Sequence, residues 1–239
     1  MHDTQTLRGN TAENNAKRRP RKLGWRFVLW AAIAGVVAAA IVRAFFVEIY
    51  YIPSGSMEPT LQEGDRVLVS RTGFDDGGIR HGDLVVFDGR GSFAPLHSGD
   101  PFPLTAAKAV GQWLGLTGSD TVYVKRAIGL PGDRVACCDK AGRLLVNGDP
   151  LEENYLYPQD AASELEFDVR VPEGKLWLMG DHRSVSADSR SLLGAPGGGF
   201  VPIERIIGRP TTIIWPLDRI GPLERVPAAG GTALTMKGA

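Results

Sequence analysis

Apolar and polar positions fall into two regimes along the chain. Phe27–Val42 (FVLWAAIAGVVAAAIV) runs sixteen residues without a charge, and Arg43 followed by Ala44, Phe45 and Phe46 extends the apolar stretch to about twenty residues. At about 1.5 Å rise per helical residue this length matches a hydrocarbon core of about 30 Å, so residues 25–46 are expected to form a transmembrane helix. Trp25 and Trp30 suit the near interface, Tyr50 and Tyr51 lie just beyond the far one, and Arg43 would snorkel to the headgroups. A buried core helix is the poorer account, because so long an apolar stretch exceeds most core helices. A cleavable signal peptide is the stronger rival: Val42-Arg43-Ala44 offers small residues at −3 and −1 of a cut before Phe45, although the leader is long for that role.

Beyond this stretch, short β-type runs alternate with Gly, Pro and Asp. Arg66–Ser70, Leu84–Phe87, Thr121–Ile128, Leu144–Val146, Lys175–Met179, Arg205–Gly208 and Thr211–Trp215 read as strands. Lys140-Ala141-Gly142 and Asn147-Gly148 mark turns within a hairpin over 135–148. Residues 89–120 form a loop by composition, interrupted by a short amphipathic helix through Ala106, Ala109, Val110, Trp113 and Leu114. The pattern predicts a mainly β, antiparallel domain over 47–220, preceded by the helix, with a disordered basic tail at 1–24 and a flexible Gly/Ala-rich tail at 221–239.

Charge adds an orientation. The formal net charge is zero, but residues 1–26 hold seven basic and two acidic residues, 7 − 2 = +5, leaving −5 for the remainder. Basic residues before an apolar span place the N-terminus in the cytoplasm and the β-rich body on the outer side of the cell membrane. A slightly acidic body gives no reason to expect nucleic acid as a partner. Cys137 and Cys138 are adjacent, which argues against a disulfide scaffold, and no clustered Cys/His suggests a metal or other cofactor. The two cysteines read as small side chains at a hairpin edge.

The four histidines, His2, His81, His97 and His182, lie in polar stretches, and no G-x-S-x-G, S-x-x-K or H-E-x-x-H motif occurs. Three other segments carry the chemistry. Ile52-Pro53-Ser54-Gly55-Ser56-Met57-Glu58-Pro59 sets two serines around a glycine between prolines that fix the backbone. Tyr123-Val124-Lys125-Arg126-Ala127-Ile128 places a lysine in an apolar strand, with Tyr123 and Lys125 on one face and Val124 and Arg126 on the other. The third segment is Gly180-Asp181-His182-Arg183-Ser184-Val185-Ser186-Ala187-Asp188-Ser189-Arg190. Taken singly, the first reads as a surface turn and the second as an exposed strand lysine.

Together, and with Gly82-Asp83-Leu84-Val85-Val86-Phe87, these segments resemble the motifs of bacterial type I signal peptidases, from the apolar span to about Trp215. The resemblance implies a Ser–Lys dyad protease of that family's β-fold, with Ser56 as nucleophile and Lys125 as general base. It implies Ser54 as a second oxyanion donor beside the Ser56 backbone N–H, Ser186 as the hydroxyl that orients the lysine, and Tyr50, Ile52, Tyr123 and Val124 as walls of the substrate cleft. Arg126 with Asp181, and Asp188 with Arg190, match charged positions that brace the site. The implied substrates are signal peptides of exported preproteins, cut after small residues of A-x-A type, by a monomer without cofactor.

The third segment departs from the family's G-D-N-R-D-N-S at His182, Ser184 and Val185. Eukaryotic-type relatives use histidine as base, which makes His182 a second candidate; Lys125 stands in its complete motif. Two other readings remain: a non-catalytic assembly factor for secreted or surface proteins, and a self-cleaving Ser–Lys repressor, which the apolar span disfavours.

Overall fold

The computed structural model describes residues 24–45, 47–74, 78–93 and 121–225, and the side chains within them except at 39–45 and 47. The basic tail before residue 24, the amphipathic helix over 106–114 and the chain after 225 lie outside the described residues. The chain divides into two units, Met1–Ile41 and Val42–Ala239.

The apolar stretch forms one α-helix, Trp25–Phe45. It opens at Gly24, whose carbonyl accepts from the N–H of Phe27 at 2.8 Å. The helical residues with described side chains, 25–38, are exposed throughout. Among the described residues no helix is long and apolar enough to cross a membrane.

The second unit is antiparallel β throughout its described pairings. Its strands are β1 (Val47–Tyr51), β2 (Arg66–Ser70), β3 (Leu84–Asp88), β4 (Val122–Gly129), β5 (Arg134–Cys137), β6 (Leu145–Val146), β7 (Asp149–Pro150), β8 (Phe167–Arg170), β9 (Lys175–Met179), β10 (Val201–Pro202), β11 (Ile206–Trp215) and β12 (Gly221–Pro222). The larger sheet has the order β1-β2-β11-β3-β4-β9-β10, with β12 paired to β11; the smaller has β7-β6-β5-β8.

Burial explains the strand sequences. In β2, alternation buries Val67 and Val69 while Arg66, Leu68 and Ser70 stay partly open, as a one-face strand requires. In β3 and β9 the apolar run is continuous and nearly every side chain is buried, so both faces of these strands are covered. One apolar cluster gathers Ile128, Val135, Leu144, Phe167 and Trp177, joining the small sheet to β4 and β9. A second gathers Ile52, Met57, Leu61, Val67, Val69 and Val86 around β2 and β3.

Three features differ from the sequence expectation. The runs at 205–208 and 211–215 form a single strand, β11, because a register shift between Pro210 and Thr212 accommodates a proline that has no N–H to donate. The ordered body passes residue 220: β12 pairs with β11, and Arg225 donates to both carboxylate oxygens of Asp83 at 2.9 Å. Cys137 and Cys138 are not separate edge side chains but a vicinal disulfide across a cis peptide bond, packed against the first cluster.

Candidate active site

The segment carrying Ser56 is anchored from both sides. Ile52 precedes it and Met57 and Leu61 follow it, all three buried in one apolar cluster, each burial contributing about 1.5–3 kcal/mol. The Ile52 N–H donates to the Asp65 carbonyl and the Gly64 N–H to the Ile52 carbonyl, both at 2.9 Å. Between these anchors Gly55–Met57 makes a single 3₁₀ turn entered from an extended Ser54. Ser56 therefore sits on a tight turn whose flanking side chains cannot leave the core cheaply.

Lys125 reaches this turn from β4. Its backbone pairs with Val85, and its side chain is buried at 3% exposure. Lys125 Nζ lies 2.7 Å from Ser56 Oγ and 3.0 Å from Ser186 Oγ. Burial pulls the ammonium down from 10.5 to about 8, against the opposing attraction of the Asp188 and Asp181 carboxylates. An apolar wall would by itself favour the neutral amine; the nearby acids limit the shift.

Ser186 is brought in by the chain after β9. A Cβ on Gly180 would fall 2.2 Å from Ser186 Oγ and 2.5 Å from the Ser56 carbonyl oxygen, so only glycine lets the three segments close on one another. The Gly180 N–H donates to Asp188 at 3.0 Å, and Arg190 donates to both oxygens of that carboxylate. Burial pushes the Asp188 carboxyl up, but the Arg190 guanidinium, the Gly180 N–H and Lys125 outweigh it and hold the group below the usual carboxylate range.

A second buried pair lies beneath. Arg126 donates to Asp181 at 2.7 and 2.5 Å, and to the Gly82 carbonyl at 2.6 Å. The Thr60 hydroxyl donates to Asp181 at 2.5 Å, and the guanidinium stacks 3.8 Å over the Tyr155 ring. This pair ties the stretch after Ser56, the strand of Lys125 and the third segment into one block.

Tyr50, Ile52, Tyr123 and Val124 line a cleft of about 270 Å³ together with Ser54, Ser56 and Lys125. Ser54 is exposed, its Oγ 3.4 Å from Ser56 Oγ. Tyr123 also stacks on Phe87 at 5.8 Å, and the Tyr50 hydroxyl donates to Glu48. The structure thus brings together Ser54, Ser56, Lys125 and Ser186, with the cleft residues on one side and both charged pairs behind. His182 is placed otherwise: its ring lies flat on Tyr157 at 3.7 Å and its backbone N–H donates to the Ser56 carbonyl at 3.2 Å. No described hydrogen bond joins its ring to Ser56.

Sequence reasoning misses Gly180, Thr60 and Tyr155 as parts of the site. Gly180 opens the third segment, and its neighbours gave no sign of how closely another chain would pass. Among the described residues no group of His, Cys, Asp and Glu is arranged to hold a metal ion.

The chain matches the family described as "Signal peptidase, peptidase S26" over residues 25–215. It is 33% identical to the probable signal peptidase I of Mycobacterium leprae (strain TN) over 233 residues, 85% of this chain and 80% of that one. It is 36% identical to signal peptidase I of Leptolyngbya laminosa, over 81% of each chain, and 30% identical to signal peptidase I T of Bacillus subtilis (strain 168), over 91% of this chain and 97% of that one. A solved signal peptidase I structure from Enterococcus faecalis V583 aligns over 56% of this chain at 23% identity and a TM-score of 0.36, too low to add to the sequence matches. With family and relatives matched over most of its length, the chain belongs to the signal peptidase family, peptidase S26, and is a serine peptidase.

Proposed function

We propose that this chain is a membrane-anchored endopeptidase that removes N-terminal signal peptides from exported preproteins, with Ser56 as nucleophile and Lys125 as general base. The observation that carries this reading is the buried Lys125 Nζ at 2.7 Å from Ser56 Oγ. A hydroxyl is a weak nucleophile until an adjacent base takes its proton, and an amine brought down to about 8 is neutral in about one molecule in ten at pH 7, against roughly one in 3,000 for an amine at 10.5.

Neutral Lys125 accepts the Ser56 hydroxyl proton as Oγ bonds to the carbon of the scissile carbonyl. The carbonyl oxygen takes up the electron pair and is met by the Ser54 hydroxyl and the Ser56 N–H; one such donor typically contributes about 3–4 kcal/mol. Collapse breaks the C–N bond, and the Lys125 ammonium returns its proton to the leaving amine. Water then gives a proton to Lys125 while its oxygen adds to the acyl ester, and Ser56 leaves with that proton. Ser186, 3.0 Å from Nζ, restrains the amine throughout.

Substrate choice follows from the cleft. Tyr50, Ile52, Tyr123 and Val124 leave room for small side chains such as Ala at −1 and −3 of the cut. An extended substrate can add as a strand beside the cleft: β1 is an edge strand, and β9 pairs with β4 only from Arg126 onward. The helix at Trp25–Phe45, with its apolar side chains exposed where described, is assigned as the membrane anchor, the N-terminus cytoplasmic. Both dyad groups come from one chain, so a monomer suffices.

The test is cleavage in detergent of a preprotein whose signal peptide ends in A-x-A. Ser56→Ala and Lys125→Ala should each abolish cleavage while circular dichroism stays unchanged. Cleavage retained in Lys125→Ala overturns the dyad.

A further inference from the structure

Two clefts lie on either side of the Lys125–Ser186 hydrogen bond. The first holds Ile52, Val124 and Ser56. The second, about 190 Å³, is bounded by Ala161, Glu164, Leu165, Ser184, Ser186 and Ser191. Ser186 is a wall of the second, and its Oγ is 3.0 Å from Nζ of Lys125, a wall of the first. The lysine amine therefore joins the wall of one cleft to the wall of the other by a single hydrogen bond.

Reaction chemistry decides what each cleft can hold, and this step rests on the dyad reading above. The Lys125 ammonium must return its proton to the leaving amine nitrogen, which requires that nitrogen within hydrogen-bond reach of Nζ. With the residues before the cut in the first cleft, the chain after the cut must pass Nζ and continue along Ser186. We propose that the second cleft receives the first one or two residues of the released chain, and that Glu164 at its rim selects among them by charge.

The charges around the cleft give the sign. Arg183 also lines it, but its guanidinium is tied to Glu153, the Gly180 carbonyl and the Ala162 carbonyl. Arg190 is tied to Asp188 and the Arg183 carbonyl. Both cations are neutralised by buried acids. Glu164 is exposed and has no ion pair among the described residues, so the uncompensated charge facing an incoming chain is negative. A basic side chain after the cut is favoured and an acidic one disfavoured. Leu165, 48% exposed beside it, offers apolar surface to the stem of a long basic side chain.

The experiment uses the full chain in detergent and peptides identical up to an A-x-A cut, differing only in the second residue after it: Lys, Gln or Glu. At low salt kcat/KM should favour Lys over Glu by about three- to fivefold, the range of an exposed ion pair. The preference should shrink at high salt and reverse in Glu164→Lys. Equal cleavage of all three peptides overturns the assignment, as does a charge preference that Glu164→Lys leaves intact. Failure to cleave any peptide instead indicts the dyad, and is separated from the charge question by the absence of all turnover.

Discussion

The α-carbon of Gly180 lies so close to Ser186 that a methyl group on it would fall 2.2 Å from the serine Oγ. No side-chain rotation relieves this fully, since the Ser56 carbonyl oxygen is 2.5 Å away from the same point. Gly180→Ala should push the third segment off the dyad. Cleavage should fall at least about a hundredfold, as expected when reacting groups shift by about 1 Å. Steady-state kinetics beside a circular dichroism spectrum checks this; near wild-type turnover would show that the segment can yield.

The pH profile of kcat/KM follows from Lys125. With Lys125 as the proposed base, its folded value of about 8 means that the neutral amine gains about tenfold per pH unit up to that point and levels off above it. A peptide assay over the alkaline range reads the midpoint. A profile flat from neutrality upward would remove Lys125 from the proton transfer.

The same shift has a cost in stability. Below about pH 8 the folded protein must hold a charge that it would bind less readily than the unfolded chain does, whose lysine titrates near 10.5. The unfolded state binds more protons between these values, so stability rises with pH through that window and the cost is fully present at neutrality. Lys125→Met should raise stability at pH 7 by up to about 3 kcal/mol, the equivalent of the shift from 10.5 to about 8. Denaturant midpoints at pH 7 and pH 10 should show the gain shrinking at the higher pH.

Breaking the Arg126–Asp181 pair should act on folding rather than chemistry. Both side chains are nearly inaccessible, at 3% and 0% exposure. Asp181→Ala would leave a buried guanidinium unpaired and the Thr60 hydroxyl without its acceptor, a loss of about 3–5 kcal/mol. Urea unfolding measures it. A loss below 1 kcal/mol would mean that water replaces the carboxylate.

The chemistry was more legible in the sequence than the architecture. Ser56, Lys125 and Ser186 are singled out only when their segments are read together as the motifs of one family, which needs no fold. Strands such as β2 and β9 announce themselves by alternation or by an unbroken apolar run. The two-residue strands β6, β7, β10 and β12 do not, because they are too short for any period and exist only where a neighbouring strand supplies hydrogen bonds. Pro210 likewise reads as a strand break until the register shift beside it is seen.

Sequence alone, through the resemblance of its four segments to one family, named the groups proposed to react: a serine beside a glycine between two prolines, and a lysine in an apolar strand. It also placed a helix over the apolar stretch, seen at Trp25–Phe45. What only the tertiary structure decided is that Ser56 and Lys125, 69 positions apart, stand 2.7 Å from one another, and that burial brings the lysine down from 10.5 to about 8. Proximity and desolvation belong to the packing of distant segments, and no local pattern of residues encodes either.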